Sequence, residues 1–179
     1  MSAAVISVEV VVGTDTGDTA IQRVTAAFER AGDELQNFGA HVFPRLIPVF
    51  EAAEQRQFDA GGQGPYSGHW APLSEAYAKW KRDNYPGQPT LVRTGALREA
   101  LTQPTSPLAN RQYSSSQFNF GTVGLEYASY HQVGTSQMPA RPPFDFDSRF
   151  EDEFNAEARL GLVDAIRAAR VDEFAEVTP

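Results

Sequence analysis

An apolar stripe from about Thr19 to Glu54 constrains the fold of this chain more than any other feature of its sequence. Ile21, Val24, Phe28, Ala31, Leu35, Phe38, Val42, Leu46 and Val49 recur in steps of three and four, the spacing of one α-helical face. A stripe of this length needs a sheet, or another copy of itself, to lie against. Pro44 and Pro48 fall inside it. Each removes an amide donor and crowds the preceding turn, so a kink or break is expected near Ala40 to Pro44.

The remaining elements follow from the same periodicities. "VISVEVVV" (5–12) alternates as a strand, and "GTDTGD" breaks it and offers helix N-caps. Residues 58–70, "FDAGGQGPYSGHW", read as a Gly-rich, exposed loop, with glycines that match neither phosphate-cradle spacing. A short helix follows, capped by Ser74, with Tyr77 and Trp80 pointing the same way and Tyr85-Pro86-Gly87 at its end. A second is capped by Thr94 and buries Leu97, Ala100 and Leu101, with Pro104 and Pro107 beyond it. Phe118 and Phe120 alternate on a strand, Gly121 to Gly124 form a bend, and Leu125 to Tyr130 return, turning helical near Ala128. Residues 133–146 form a Pro-rich docking loop. A last helix, about Arg149 to Arg170, presents Phe150, Phe154, Ala158, Leu162 and Ile166. The expected fold is a single α+β domain over residues 1–179: a small antiparallel sheet packed against a long N-terminal helix and a C-terminal helix.

Composition narrows the function. Hydrophobic residues are 41% of the chain and charged residues 21%, ordinary for a globular protein. The formal net charge of −8 argues against a nucleic-acid coat or an anionic-membrane binder. The charge is uneven: Trp70 to Arg111 holds six basic and three acidic residues, Asp145 onward four basic and ten acidic. These regions either complement one another between subunits or form two solvated faces. Cysteine is absent, which excludes thiol catalysis and disulfides. The first residues lack a basic signal region, and no apolar run reaches the roughly 20 residues of a membrane span. Synthesis in the cytosol as a soluble protein, with no membrane partner, is the expectation.

Catalytic constellations are sparse. His41, His69 and His131 each stand alone, without zinc-ligand spacing. Serines lack a nucleophile elbow. "FEDEF" (150–154) reads either as a divalent-metal cluster or as acidic residues at a helix N-terminus. Trp70, Tyr77 and Trp80 read as core rather than a ligand platform. "YASYHQVG" (127–134) is either a catalytic pocket or a rigid corner. Arg141, held between prolines ahead of Phe144, has the layout of an anchor that docks on a partner, or of a solvent-exposed loop arginine.

Four landmarks in order resemble the virion-morphogenesis, or tail-completion, proteins of tailed bacteriophages. Trp70, Pro72, Leu73 and Ser74 match a Trp-x-Pro-Leu-Ser helix start. Leu91, Thr94, Gly95, Leu97 and Arg98 match Leu-x-x-Thr-Gly-x-Leu-Arg. Tyr127, Ala128, His131, Gln132 and Gly134 match Tyr-Ala-x-x-His-Gln-x-Gly. Pro139, Ala140, Arg141, Pro143 and Phe144 match an Ala-Arg-Pro-Phe loop, with Pro142 as a one-residue insertion that bears on how Arg141 is presented. The resemblance covers about residues 60–150.

It implies a non-enzymatic part of the virion neck, without cofactor or metal. The ring, commonly a hexamer, caps the tail tube and joins it to the head connector. Genomic DNA passes through its lumen without sequence-specific binding, and a scarcity of basic contacts suits that passage. "YASYHQVG" would then be a structural corner: Tyr127 and Tyr130 pack, His131 and Gln132 satisfy backbone groups, and Gly134 permits the turn. Two other expectations stay open: a head-closure protein on the connector side, and a small metal-dependent hydrolase using His131 with acidic residues.

Overall fold

The computed structural model describes residues 11–12, 15–63 and 69–169. Most of the expected strand 5–12 lies outside them. Its last two residues, β1 (Val11–Val12), pair antiparallel with β2 (Asp15–Thr16).

The long apolar stripe becomes two helices, α1 (Gly17–Gln36) and α2 (Phe38–Asp59). The break is at Asn37, upstream of the expected position, and both prolines lie within an uninterrupted α2. The Ala40 carbonyl that Pro44 crowds belongs to the first turn of α2, which is free to tilt against Asn37. Val42, Leu46 and Val49 are buried, whereas Phe28, Leu35 and Phe38 are exposed, so the stripe does not face the core evenly along its length.

The partner of α2 is α6 (Ser148–Ala168), capped by Asp147, whose carboxylate accepts from the Phe150 amide at 2.7 Å. The two helices run antiparallel: the end of α2 meets the start of α6, and the start of α2 meets the second half of α6. Arg56 bonds Glu153 at 3.0 Å, Arg45 bonds Glu157 at 3.2 Å and Asp164 at 2.6 Å, and Gly161 lies against Val42. Phe150 is buried as expected, but Leu162 and Ile166 are exposed and Gly161 and Ala165 take their place. Each step of four residues advances about 40° around a helix of 3.6 residues per turn, so a strict four-step pattern winds off the buried face.

The hairpin differs from the expected one. Phe118 and Phe120 do lie on a strand, β4 (Phe118–Thr122), but its partner is the preceding β3 (Ala109–Tyr113), with Arg111 opposite Phe120. The Ser114 hydroxyl accepts from the amides of Ser116 and Gln117 and so builds the turn. Residues 125–130 are no return strand: they lead into α5 (Tyr127–Val133). The hairpin lies on α2 through Phe50, whose ring meets Phe118, Phe120, Phe146 and Phe150 at 4.9–5.4 Å between centroids.

Arg111 locks β3 in place. It pairs with Glu51 at 3.0 Å, donates to the carbonyls of Ala100 and Leu101, and lies 3.7 Å over the Phe120 ring. Those carbonyls belong to the C-terminal turn of α4 (Ala96–Thr102), which has no intrahelical donors for them. The chain is thus an α+β fold, with the β3–β4 hairpin and α6 both packed on the long α2.

Candidate functional site

The four motif segments, far apart in sequence, converge on one groove of about 850 Å³. Pro72, Leu73 and Ser74 form one wall, leading into α3 (Glu75–Asn84). Thr94, Gly95 and Leu97 form a second at the start of α4, and Tyr127, His131 and Arg141 a third.

Each wall has a local cause. The Ser74 hydroxyl accepts from the Tyr77 amide at 3.4 Å and caps α3, as the sequence predicts. The α4 cap is Gly95 rather than the expected Thr94. Gly95 sits at φ 92°, a left-handed conformation that glycine adopts without strain, and the Thr94 hydroxyl accepts only from the Ala96 amide at 3.5 Å. Leu91, also in the wall, has φ 61°, a rare value for a branched side chain.

Other motif residues stand behind the groove. Trp70 is buried and sits edge-on to Phe58 at 5.5 Å. Its indole donates to the Pro142 carbonyl at 2.7 Å, and its amide to Gly62. Both ends of the 58–70 stretch are therefore core rather than exposed loop, and α2 continues through Asp59; residues 64–68 lie outside the described residues. Gln132 exchanges two hydrogen bonds with the Phe144 backbone. Gly134 turns the chain at φ 76°, where a Cβ would approach Ala140 N to 2.8 Å. Arg98 points away and bonds Asp59 at 2.5 Å, tying α4 to the end of α2.

Arg141 requires the main correction. It is not a solvent-exposed loop arginine and does not project as a free anchor: it is buried, 4% exposed, in the groove wall. Its Nε donates to the Ala71 carbonyl at 2.6 Å and a terminal nitrogen to Pro72 at 2.7 Å. Its own amide donates to the His131 carbonyl at 2.8 Å. Pro142 holds the opposite side of the loop through Trp70, so the inserted residue is part of this fastening. Tyr77 and Trp80 also differ from expectation: they stack on one another at 5.4 Å and are about two-fifths exposed. Tyr127 and Tyr130 are similarly exposed, and Tyr127 packs edge-on to His131 at 5.9 Å.

Sequence reasoning missed Lys81, Val92, Arg93 and Met138 as groove residues. Lys81 looks like a solvated helix lysine, yet it is 5% exposed and its ammonium donates to the Pro89 carbonyl. Burial pushes the pKa of Lys81 and of Arg141 below their ordinary values. Glu75 is the one carboxylate among the groove-lining residues.

His131 is half-buried, and its Nδ1 has no hydrogen-bond partner. Burial, then the Arg141 charge, lowers its pKa, so the ring is neutral near pH 7. A general base ordinarily has a partner that orients it, and none is present at this nitrogen. Among the described residues no group of three or more His, Asp or Glu side chains could hold a metal ion, and no helix is long and apolar enough to cross a membrane. The arrangement suits binding: a mixed apolar and cationic trough with stiff walls. No family model matches this sequence, and neither the curated proteins nor the solved structures contain a match to it.

Proposed function

We propose that this chain is a structural protein of a tailed-phage virion, a tail-completion ring that caps the tail tube and joins it to the head connector. One observation carries the reading: residues 70–74, 94–98, 127–134 and 139–144, the segments that resemble that family, meet in space and brace one another around a single groove. The fastenings are backbone-directed, which suits a rigid surface for assembly. Exposed Leu160, Leu162, Val163 and Ile166 on α6, with Leu35 and Phe38 on the N-terminal helices, leave further apolar surface for neighbouring subunits. On this reading no reaction is catalysed, and DNA passes through the lumen without base-specific contact.

The test is the native mass of the full chain, alone and with a tail-tube protein. A ring at six times 19.6 kDa, cross-linking to the tail tube rather than to portal-side protein, is the expected result. A monomer under both conditions overturns the reading.

A further inference from the structure

We propose that the groove receives the acidic, apolar segment 171–179 of a neighbouring copy, so that subunits associate head to tail. This rests on the ring reading above and names the contact that would build it.

Two cations are buried in the groove wall with no anion paired to them among the described residues. Lys81 and Arg141 are 5% and 4% exposed, and their hydrogen-bond acceptors are the carbonyls of Pro89, Ala71 and Pro72. Buried charges are ordinarily paired, because carbonyl dipoles replace only part of the lost hydration. An ammonium has three donors and a guanidinium five, so both retain unused ones. Arg93 adds positive charge at an exposed position, against the single carboxylate of Glu75. Leu73, Leu91, Val92 and Met138 supply apolar lining. Such a trough fits a peptide that interleaves carboxylates with apolar side chains.

The chain carries one. Asp172, Glu173 and Glu176 alternate with Val171, Phe174 and Val177, and residues 171–179 include no basic side chain. The segment lies outside the described residues, and its composition and point of attachment carry the argument. It follows α6, which starts beside the groove loop, where Phe146 stacks on Phe150, and runs antiparallel to α2. Its 21 residues lead about 30 Å away at 1.5 Å per residue. Nine residues at full extension span about 30 Å, so reaching back to the same subunit's groove would leave none to occupy it. A second copy meets no such limit. Donor and acceptor at opposite ends make a heterologous contact, which closes into a ring when the rotation allows.

The test uses the full chain in sedimentation velocity. Arg93→Glu, at an exposed groove position, and the combined Asp172→Lys, Glu173→Lys, Glu176→Lys variant should each weaken self-association at least tenfold. An equimolar mixture should recover part of it, because the acidic segment of the Arg93→Glu chain meets the unaltered groove of the other variant. A labelled peptide of residues 170–179 should bind the triple-lysine variant saturably, and adding Arg93→Glu should abolish that binding. If the wild type forms a ring and both variants form it equally well, the segment contact is overturned while the ring reading stands. Peptide that fails to bind, or peptide that binds while the wild type stays monomeric, also overturns docking between copies. A wild type monomeric even with tail-tube protein removes the ring reading separately.

Discussion

Gln132 and the backbone of Phe144 exchange two hydrogen bonds: Nε2 donates to the carbonyl at 3.0 Å, and Oε1 accepts from the amide at 3.1 Å. One side-chain amide thereby acts as a strand rung for a loop that has no strand partner. Gln132→Ala leaves both groups of Phe144 without it, at a cost of about 1–3 kcal/mol. Gln132→Glu, nearly isosteric, sets a carboxylate against the Phe144 carbonyl and should cost more at pH 7 than at pH 4. Urea unfolding at the two pH values checks both; equal cost for Glu at pH 4 and 7 would contradict the pairing.

Arg141 is the other half of the same fastening, and its burial changes what its removal should do. Arg141→Ala strips the carbonyls of Ala71 and Pro72 of charged donors, and the expected loss is about 2–4 kcal/mol in the isolated protein. Arg141→Lys keeps the charge but cannot reach both carbonyls with a planar fork, so it should recover less than half of the loss. Chemical denaturation of the purified chain decides the matter. An Arg141→Ala protein as stable as wild type, yet defective in joining, would return the residue to the surface role that the sequence suggests.

Glu54 is buried in α2 with both carboxylate oxygens unpartnered. Burial raises its pKa well above 4.5, and the positive charge of Arg111 offsets only part of that. A raised folded-state pKa gives stability that is fully present below about 4.5 and lost as pH rises through the folded value. Glu54→Gln should remove that slope. Glu54→Met, similar in length and apolar, should make the protein about 1–3 kcal/mol more stable at pH 7. Denaturation midpoints across pH 4 to 8 read both effects.

His131 pulls the other way. Its folded-state pKa lies below the ordinary 6.5 because burial and the Arg141 charge disfavour the imidazolium. Folding is therefore weakened as pH falls below about 6.5 toward the lowered value, and levels out beneath it. His131→Gln should abolish this acid-side loss and leave the Glu54 slope intact. Because the two groups oppose one another just below pH 6.5, the wild-type profile should be flatter there than that of the His131→Gln variant.

Much of this fold was legible, and the unreadable parts share a cause. Caps and breakers act locally, so Ser74, the end of α3 near Tyr85 and the buried Leu97, Ala100 and Leu101 follow from neighbours in sequence. β3 shows no apolar alternation, because Arg111 holds it through contacts to α2 and α4. The exposed Phe28 and Leu35 have helical spacing like that of buried Val42, and periodicity does not tell which half of a stripe finds a partner. At the groove, the motif residues were identifiable, but Lys81 and Arg93 were not, since nothing in a helix or loop of polar residues marks which cation a distant loop will cover. Arg141 was found for the wrong reason: prolines on either side mark rigidity, not exposure.

Gly161 lies close against the backbone of α2, and it tests how the C-terminal helix is held. A Cβ there would lie 2.7 Å from the Val42 Cα and 2.9 Å from the His41 carbonyl oxygen, both backbone atoms that cannot swing aside. Within an isolated helix, Gly→Ala gains about 1 kcal/mol of propensity. Here the helices must separate by several tenths of an ångström. That weakens the ion pairs from Arg45 to Glu157 and Asp164 and opens the packing of buried Ala165. Overpacking of this kind costs about 1–3 kcal/mol, so Gly161→Ala should be destabilising despite its propensity gain. Exposed Leu162→Ala, one residue along, should change monomer stability by less than about 0.5 kcal/mol while weakening any association that uses the α6 surface. Thermal denaturation of the two variants side by side reads the difference. A stabilised Gly161→Ala protein would mean that α6 does not lie this close to α2.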